Sequence, residues 1–269
     1  MGRYVLATLM ERTQLAEGIF SAVLRAEEIA SAAKPGQFVC VYSDDGAHLL
    51  PRPISICNTD VKSGTVRLVY RVVGFGTEEL SRKEVGAKIR VLGPIGTGYE
   101  KVSEGKDRPI RIVIGGGIGI PPMLLLARKW CEEGYEVHAV MGYRNKDTFL
   151  IDELSGYAVC HIATDDGSVG THGTVLDAIE SEGLLADGRD GKTLLAACGP
   201  MPMLRGIARL AGERNIPAYV SLEERMACGV GACLGCITKT REVDGHSHVH
   251  NARICTEGPV FNVNELCLV

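Results

Sequence analysis

Ten cysteines stand in the 269-residue chain, and four of them share a pattern that could hold metal. Cys228, Cys233 and Cys236 read Cys-x4-Cys-x2-Cys, and Cys255 follows after 18 further residues. That is the thiolate spacing of plant-type [2Fe–2S] sites, with a shorter excursion to the last ligand. Four thiolates must converge on two irons while backbone N–H groups point at the sulfurs. Gly229, Gly231 and Gly235 let the chain wrap tightly, with positive φ where required. A structural zinc site is the rival, since four cysteines also suit zinc. Zinc ribbons pair two Cys-x2-Cys knuckles, however, and only Cys233 and Cys236 form one here. Between Cys236 and Cys255, Asp244-Gly245 predicts a hairpin turn. His246, His248 and His250 then fall on one face of the return strand and read as a solvated face. Cys40, Cys57, Cys131, Cys160 and Cys267 read as small structural residues, the first four among apolar neighbours.

Two further segments could do chemistry. In Gly115-Gly116-Gly117-Ile118-Gly119, followed by Pro121-Pro122, an apolar run ends in a glycine turn and a helix start. Amides and a helix dipole would face an anion there, and the prolines sacrifice no needed N–H. The third glycine of G-x-G-x-x-G is missing, because Ile120 occupies its place. The second segment joins Arg52-Pro53-Ile54-Ser55 to Val69-Tyr70-Arg71 and Gly76-Thr77. Two arginines, one aromatic ring and a helix N-terminus could hold a pyrophosphate and stack on a flat heterocycle. Asp165-Asp166 reads as a turn ahead of a helix at Thr174. No general-base or nucleophile constellation emerges, so no catalytic residue is assigned.

These groups need elements to carry them. Residues 4–10, 19–25, 37–42, 53–58, 66–73 and 88–91 are strand-like, separated by turn signals such as Pro35-Gly36 and Ser63-Gly64. Six short strands predict a small antiparallel barrel, with one helical piece over 77–83. From about residue 108 the rhythm becomes strand–helix alternation, with strands at 110–114, 136–141, 158–163, 193–198 and 218–221. Helices are expected over 121–130, 174–182 and 200–214, which together predict a doubly wound parallel sheet. The expected units are 1–105, 106–220 and a cluster module over 221–269. A net charge of −4 and 14 aromatics among 269 residues disfavour a nucleic-acid binder. The apolar stretch 112–127 contains four glycines and a Pro-Pro pair, so no membrane span is expected. With no signal-peptide pattern, the cysteines point to a reducing, cytoplasmic setting.

Pro35-Gly-Gln-Phe38, Arg52-Pro-Ile-Ser55, Gly76-Thr77, Gly93-Pro-Ile-Gly96, Gly115-Gly-Gly-Ile-Gly119 and Cys198-Gly199-Pro200 together resemble the ferredoxin-reductase flavoprotein superfamily. Adding the cysteine pattern and the 164–174 run, the whole chain is similar to electron-transfer subunits of B-type, NAD-linked dihydroorotate dehydrogenases. The resemblance implies FAD held by Arg52, Pro53, Ile54, Ser55, Val69, Tyr70, Arg71, Gly76 and Thr77. It implies a [2Fe–2S] cluster on Cys228, Cys233, Cys236 and Cys255. It places NAD at Gly115, Gly116, Gly117 and Gly119 and at Cys198, Gly199 and Pro200, with Cys198 either a pocket residue near the flavin or a buried structural thiol. A nicotinamide moves two electrons and the cluster one, and a flavin converts between them. The implied partner is an FMN-containing dihydroorotate dehydrogenase subunit in a heterotetramer of two pairs. A related alternative is the small subunit of sulfide dehydrogenase-like or electron-bifurcating ferredoxin:NADP oxidoreductases, where an acidic residue replaces one cluster cysteine. A zinc-stabilised, non-enzymatic binding module is the alternative of another class. NAD over NADP rests on the resemblance alone, since Glu136 precedes its strand and Arg144 follows it.

Overall fold

The computed structural model describes residues 2–102, 107–186, 189–243 and 248–268. Its first part is a closed barrel of six strands, β1 (Arg3–Ala16), β2 (Ile19–Arg25), β3 (Phe38–Val41), β4 (Arg52–Asp60), β5 (Thr65–Arg71) and β6 (Lys88–Ile95). The order around it is β1-β2-β5-β4-β3-β6, and every pairing is antiparallel. Period-2 alternation sends Val66, Leu68 and Tyr70 of β5 into the barrel and Arg67, Val69 and Arg71 outward. Two short helices cover it: α1 (Glu27–Ala32), which buries Ile29 and Ala30, and α2 (Phe75–Arg82), which buries Leu80.

The second part is a seven-stranded sheet built from β7 (Ile110–Gly116), β8 (Glu136–Tyr143), β9 (Val159–Thr164), β10 (Thr171–His172), β11 (Thr193–Cys198), β12 (Ala218–Ser221) and, late in the chain, β15 (Val260–Asn262). Its order is β10-β9-β8-β7-β11-β12-β15, with only β15 running against its neighbour. The chain steps outward from β7 to β10, then crosses back over β7 to lay down β11 and β12. The reversal makes the carboxyl ends of β7 and β11 a topological switch point, the usual ligand crevice of such sheets.

Four helices dress the sheet: α3 (Pro121–Glu132), α4 (Ile151–Leu154), α5 (Val175–Ser181) and α6 (Met201–Arg214). α3 is the one that joins the two parts. Met123, Leu124, Leu126 and Trp130 pack with Val113 and Met141 of the sheet, while Leu125 enters the barrel core. That double burial explains why 121–127 is apolar all round. Among the described residues no helix is long and apolar enough to cross a membrane.

The chain leaves the sheet after Ser221 and returns at Val260, the two being register partners. The intervening 222–259 is an excursion from the sheet edge, carrying a small ribbon of β13 (Ile237–Lys239) and β14 (Asn251–Arg253). Its apolar side joins Cys236, Ala252, Ile254 and Cys255 to Phe38, Cys40 and Ile95 of the barrel in one core. Thr97 fastens the far end, its N–H donating to the Gly258 carbonyl at 2.5 Å and its hydroxyl to that of Thr256 at 3.0 Å.

Candidate redox site

The cysteine loop is shaped by its own amides. Cys228 Sγ accepts from the N–H groups of Val230 and Cys233, and Cys233 Sγ from that of Gly235, each at 3.4 Å. Left-handed backbone falls at Gly229 (φ 69°), Gly231 (φ 83°) and Leu234 (φ 56°), so the third such position is Leu234 and not Gly235. Cys236 and Cys255 are buried in one core, while Cys228 and Cys233 lie on the more open side of the loop. Among the described residues no three ligating side chains close around one ion. Two thiolates for each of two irons is the arrangement a [2Fe–2S] cluster requires, so the residues fit that group. Burial opposes a charge on Cys228, but the converging N–H groups outweigh it and hold the thiol down at about 7. Cys255, desolvated and beside Cys236, is pushed up to about 12. Cys233 is exposed while Cys236 and Cys255 are buried, so one edge of the site faces solvent and the other the barrel.

A fifth cysteine lies here that the spacing could not reveal. Cys40 of β3 is fully buried, and burial together with the nearby Cys228 and Cys236 thiols pushes it up to about 12. The histidines come out differently from expectation. β14 begins at Asn251, so His248 and His250 precede the strand, exposed, with His248 at φ 57°. Asp244, Gly245 and His246 lie outside the described residues. Cys131 and Cys267 are exposed rather than core, whereas Cys57 is buried as expected.

The second locus lies where β4 meets α2. A Cβ on Gly76 would lie 2.6 Å from Arg52 Nε and 2.9 Å from its Cζ, so glycine is what lets the guanidinium rest on the helix start. Arg52 also donates to the Leu50 carbonyl at 2.5 Å. α2 begins at Phe75, and Thr77 stands inside its first turn. Its hydroxyl accepts from Val73 N at 3.0 Å and Gly74 N at 3.3 Å. A cation fixed beside a helix N-terminus is a set of groups that could cradle an anion such as a pyrophosphate. Along β4, Pro53 and Ser55 face out of the barrel and Ile54 faces in.

Tyr70 corrects the idea of a stacking ring. It points into the barrel, 3% exposed, with Phe20 at 6.3 Å between centroids and 21° between planes. Strict alternation along β5 forces this once Arg71 faces out. Desolvation raises its phenol well above the ordinary range, and the hydroxyl has no hydrogen-bond partner. Its neighbours face the other way. Val69 packs with Ile120 and Met123, and a Cβ on Gly117 would lie 3.6 Å from Arg71 Nη2. The barrel thus presents a cation at the switch point.

There the two glycine turns are pressed together. A Cβ on Gly119 would overlap the Cys198 carbonyl, and one on Gly116 would lie 2.7 Å from Met203 Sδ and 3.0 Å from Pro200 Cδ. The turn needs glycines for approach between β7 and β11, which is why it departs from the common fingerprint. Cys198 is buried. Desolvation and Glu223 push its thiol up to about 12, against the opposing influence of Ser221. Arg144 and Asp165 stand exposed at the carboxyl ends of β8 and β9. Asp166 is engaged in its own turn, accepting from Ser168 N at 2.9 Å and Ser168 Oγ at 2.6 Å.

The chain resembles known proteins along its whole length. A family model described as the iron-sulfur cluster binding domain of dihydroorotate dehydrogenase B matches residues 223–267. A curated relative from Shouchella clausii, named dihydroorotate dehydrogenase B (NAD(+)), electron transfer subunit, is 39% identical over 263 residues, 97% of each chain. One of the same name from Streptococcus mutans is 36% identical over 262 residues, again 97% of each. Among solved structures, an NADH-dependent reduced ferredoxin-NADP oxidoreductase studied for flavin-based electron bifurcation superposes with a TM-score of 0.83 at 29% identity. That match covers 98% of this chain and 91% of the other. A ferredoxin NADP+ reductase from Neisseria gonorrhoeae, solved with FAD and NADP, shares the fold at a TM-score of 0.68 and 15% identity, covering 84% of this chain and 96% of its own. On the strength of the end-to-end identity, the chain belongs to the family of dihydroorotate dehydrogenase B (NAD(+)) electron transfer subunits.

Proposed function

We propose that the chain carries electrons from an FMN-containing dihydroorotate dehydrogenase partner, through [2Fe–2S] and FAD, to NAD+. FAD when bound supplies the exchange between one-electron and two-electron chemistry. The carrying observation is the order of the sites. The 222–259 excursion buries Cys236 and Cys255 against β3, β3 pairs with β4, and Arg71 of β5 meets Gly117 at the switch point. A cluster, a flavin and a nicotinamide held by these residues would follow one another along that line.

Arg52, Gly76 and Thr77 would hold the FAD pyrophosphate, with Pro53, Ile54 and Ser55 and the strand Val69, Tyr70 and Arg71 framing the ring system through backbone and aliphatic contacts. Gly115, Gly116, Gly117 and Gly119 with Cys198, Gly199 and Pro200 would receive the nicotinamide nucleotide. Cys228, Cys233, Cys236 and Cys255 would ligate the cluster. The division at residues 105 and 220 separates these roles, with β15 returning the last segment to the sheet edge. The exposed Cys233 edge is where the partner would dock, in a cytoplasmic heterotetramer of two pairs. A bifurcating-type small subunit is the second reading, favoured by the 29% likeness noted above. Four intact cysteines and the names of the 39% and 36% identical relatives favour the first. The matched iron–sulfur family argues against a zinc module.

Anaerobic mixing with NADH tests this. Flavin absorbance is expected to bleach first and cluster absorbance afterwards. A purified chain lacking both chromophores would overturn the proposal.

A further inference from the structure

We infer that Cys40 and Gly229 act as a spacer that sets how closely the cysteine loop seats on the barrel, which makes Cys40 a positioning residue for electron passage between flavin and cluster. The inference rests on the functional reading above and adds to it a residue outside the ligand set.

Three observations carry it. Cys40 lies in β3, opposite Pro53 of β4 within the Arg52–Ser55 stretch and beside Leu92 of β6. The strand is therefore hydrogen-bonded on both sides and cannot yield sideways. Gly229, next to the ligand Cys228, lies against it: a Cβ there would be 2.6 Å from Cys40 Sγ but 4.0 Å from Cys40 Cβ, with Ile95 Cδ1 at 3.8 Å. The sulfur alone fills the space that a Gly229 side chain would need. Finally, Cys40 belongs to the continuous core that runs from Phe38 and Ile95 to Cys236 and Cys255. When the contact is overfilled, the irregular loop gives way before the paired strand does, and Cys228 lifts from the flavin side.

A size-swap cycle decides the matter on the full chain. Gly229→Ala, Cys40→Ala and the double variant are compared for iron and FAD content, for the electron paramagnetic resonance spectrum of the dithionite-reduced cluster, and for the rate of cluster reduction after NADH. NADH gives two electrons to the flavin as a hydride, and each cluster takes up one of them. Gly229→Ala is expected to slow cluster reduction severalfold and shift the resonance spectrum at unchanged FAD content. Adding Cys40→Ala is expected to restore both. Should Gly229→Ala lose iron, recovery of iron in the double variant is the equivalent result. A Gly229→Ala protein indistinguishable from wild type would overturn the inference. So would a defect that persists undiminished in the double variant, because strain at φ 69° would then be its cause. Failure of NADH to reduce the wild-type cluster would instead contradict the functional reading, while the spectrum and iron content still test the spacer.

Discussion

Removal of one thiolate separates the cluster from the flavin. Cys233 is exposed and its Sγ accepts from the Gly235 amide at 3.4 Å, so Cys233→Ser disturbs little packing. FAD is expected to stay bound while electron flow to the partner is lost, as flavin absorbance and coupled activity will report; unchanged coupled activity would refute the ligand assignment. Arg52 offers the complementary test. Arg52→Ala removes a cation placed on the start of α2 and should weaken FAD binding by about 1.5–3 kcal/mol, roughly tenfold to hundredfold. Fluorescence titration of flavin measures this. Arg52→Lys should recover only part, since it keeps the charge but not the planar fork. At this scale the candidate ligand cysteines could be read because three of them lie in one local run. Cys40 could not, because its meeting with Gly229 is made through space by the docking of two units. Tyr70 was legible in principle: alternation along β5 excludes an outward Tyr70 once Val69 and Arg71 face out.

Helix α3 and the two glycine turns decide whether the sites meet at all. Leu124, fully buried between α3 and the sheet, should cost about 2–5 kcal/mol on replacement by alanine. Because α3 also packs on the barrel through Leu125, barrel and sheet should lose structure together in a single thermal transition. Two separated transitions would show that the helix does not couple them. Gly119→Ala should be costly for a different reason: its Cβ meets the Cys198 carbonyl, a backbone group with nowhere to go. A loss of about 1–3 kcal/mol with weakened NADH binding is expected from melting and titration. Most strands could be read from alternation and turn residues, several to the residue. α1 was missed because six residues with no side-chain cap leave no periodic signal. β15 was missed because three residues gain strand character only by pairing with β12.

The described residues form a barrel and a mostly parallel sheet joined through α3, with the cysteine module inserted as a loop from the sheet edge that leans back on the barrel. That placement could not be read from order along the chain, which suggested a terminal appendage. Both the proposed nicotinamide crevice and the root of the module belong to the same end of the sheet, since Cys198 and Ser221 are register partners and Ser221 pairs with Val260. The relatives' name, electron transfer subunit, implies a catalytic partner. The most direct test is to purify it with its native partner and follow orotate formation anaerobically with NAD+ and with NADP+. The account predicts dihydroorotate-dependent NADH formation that is abolished by Cys233→Ser. Orotate formation that reduces NAD+ equally well without the cluster, or a partner that oxidises no dihydroorotate, would contradict it.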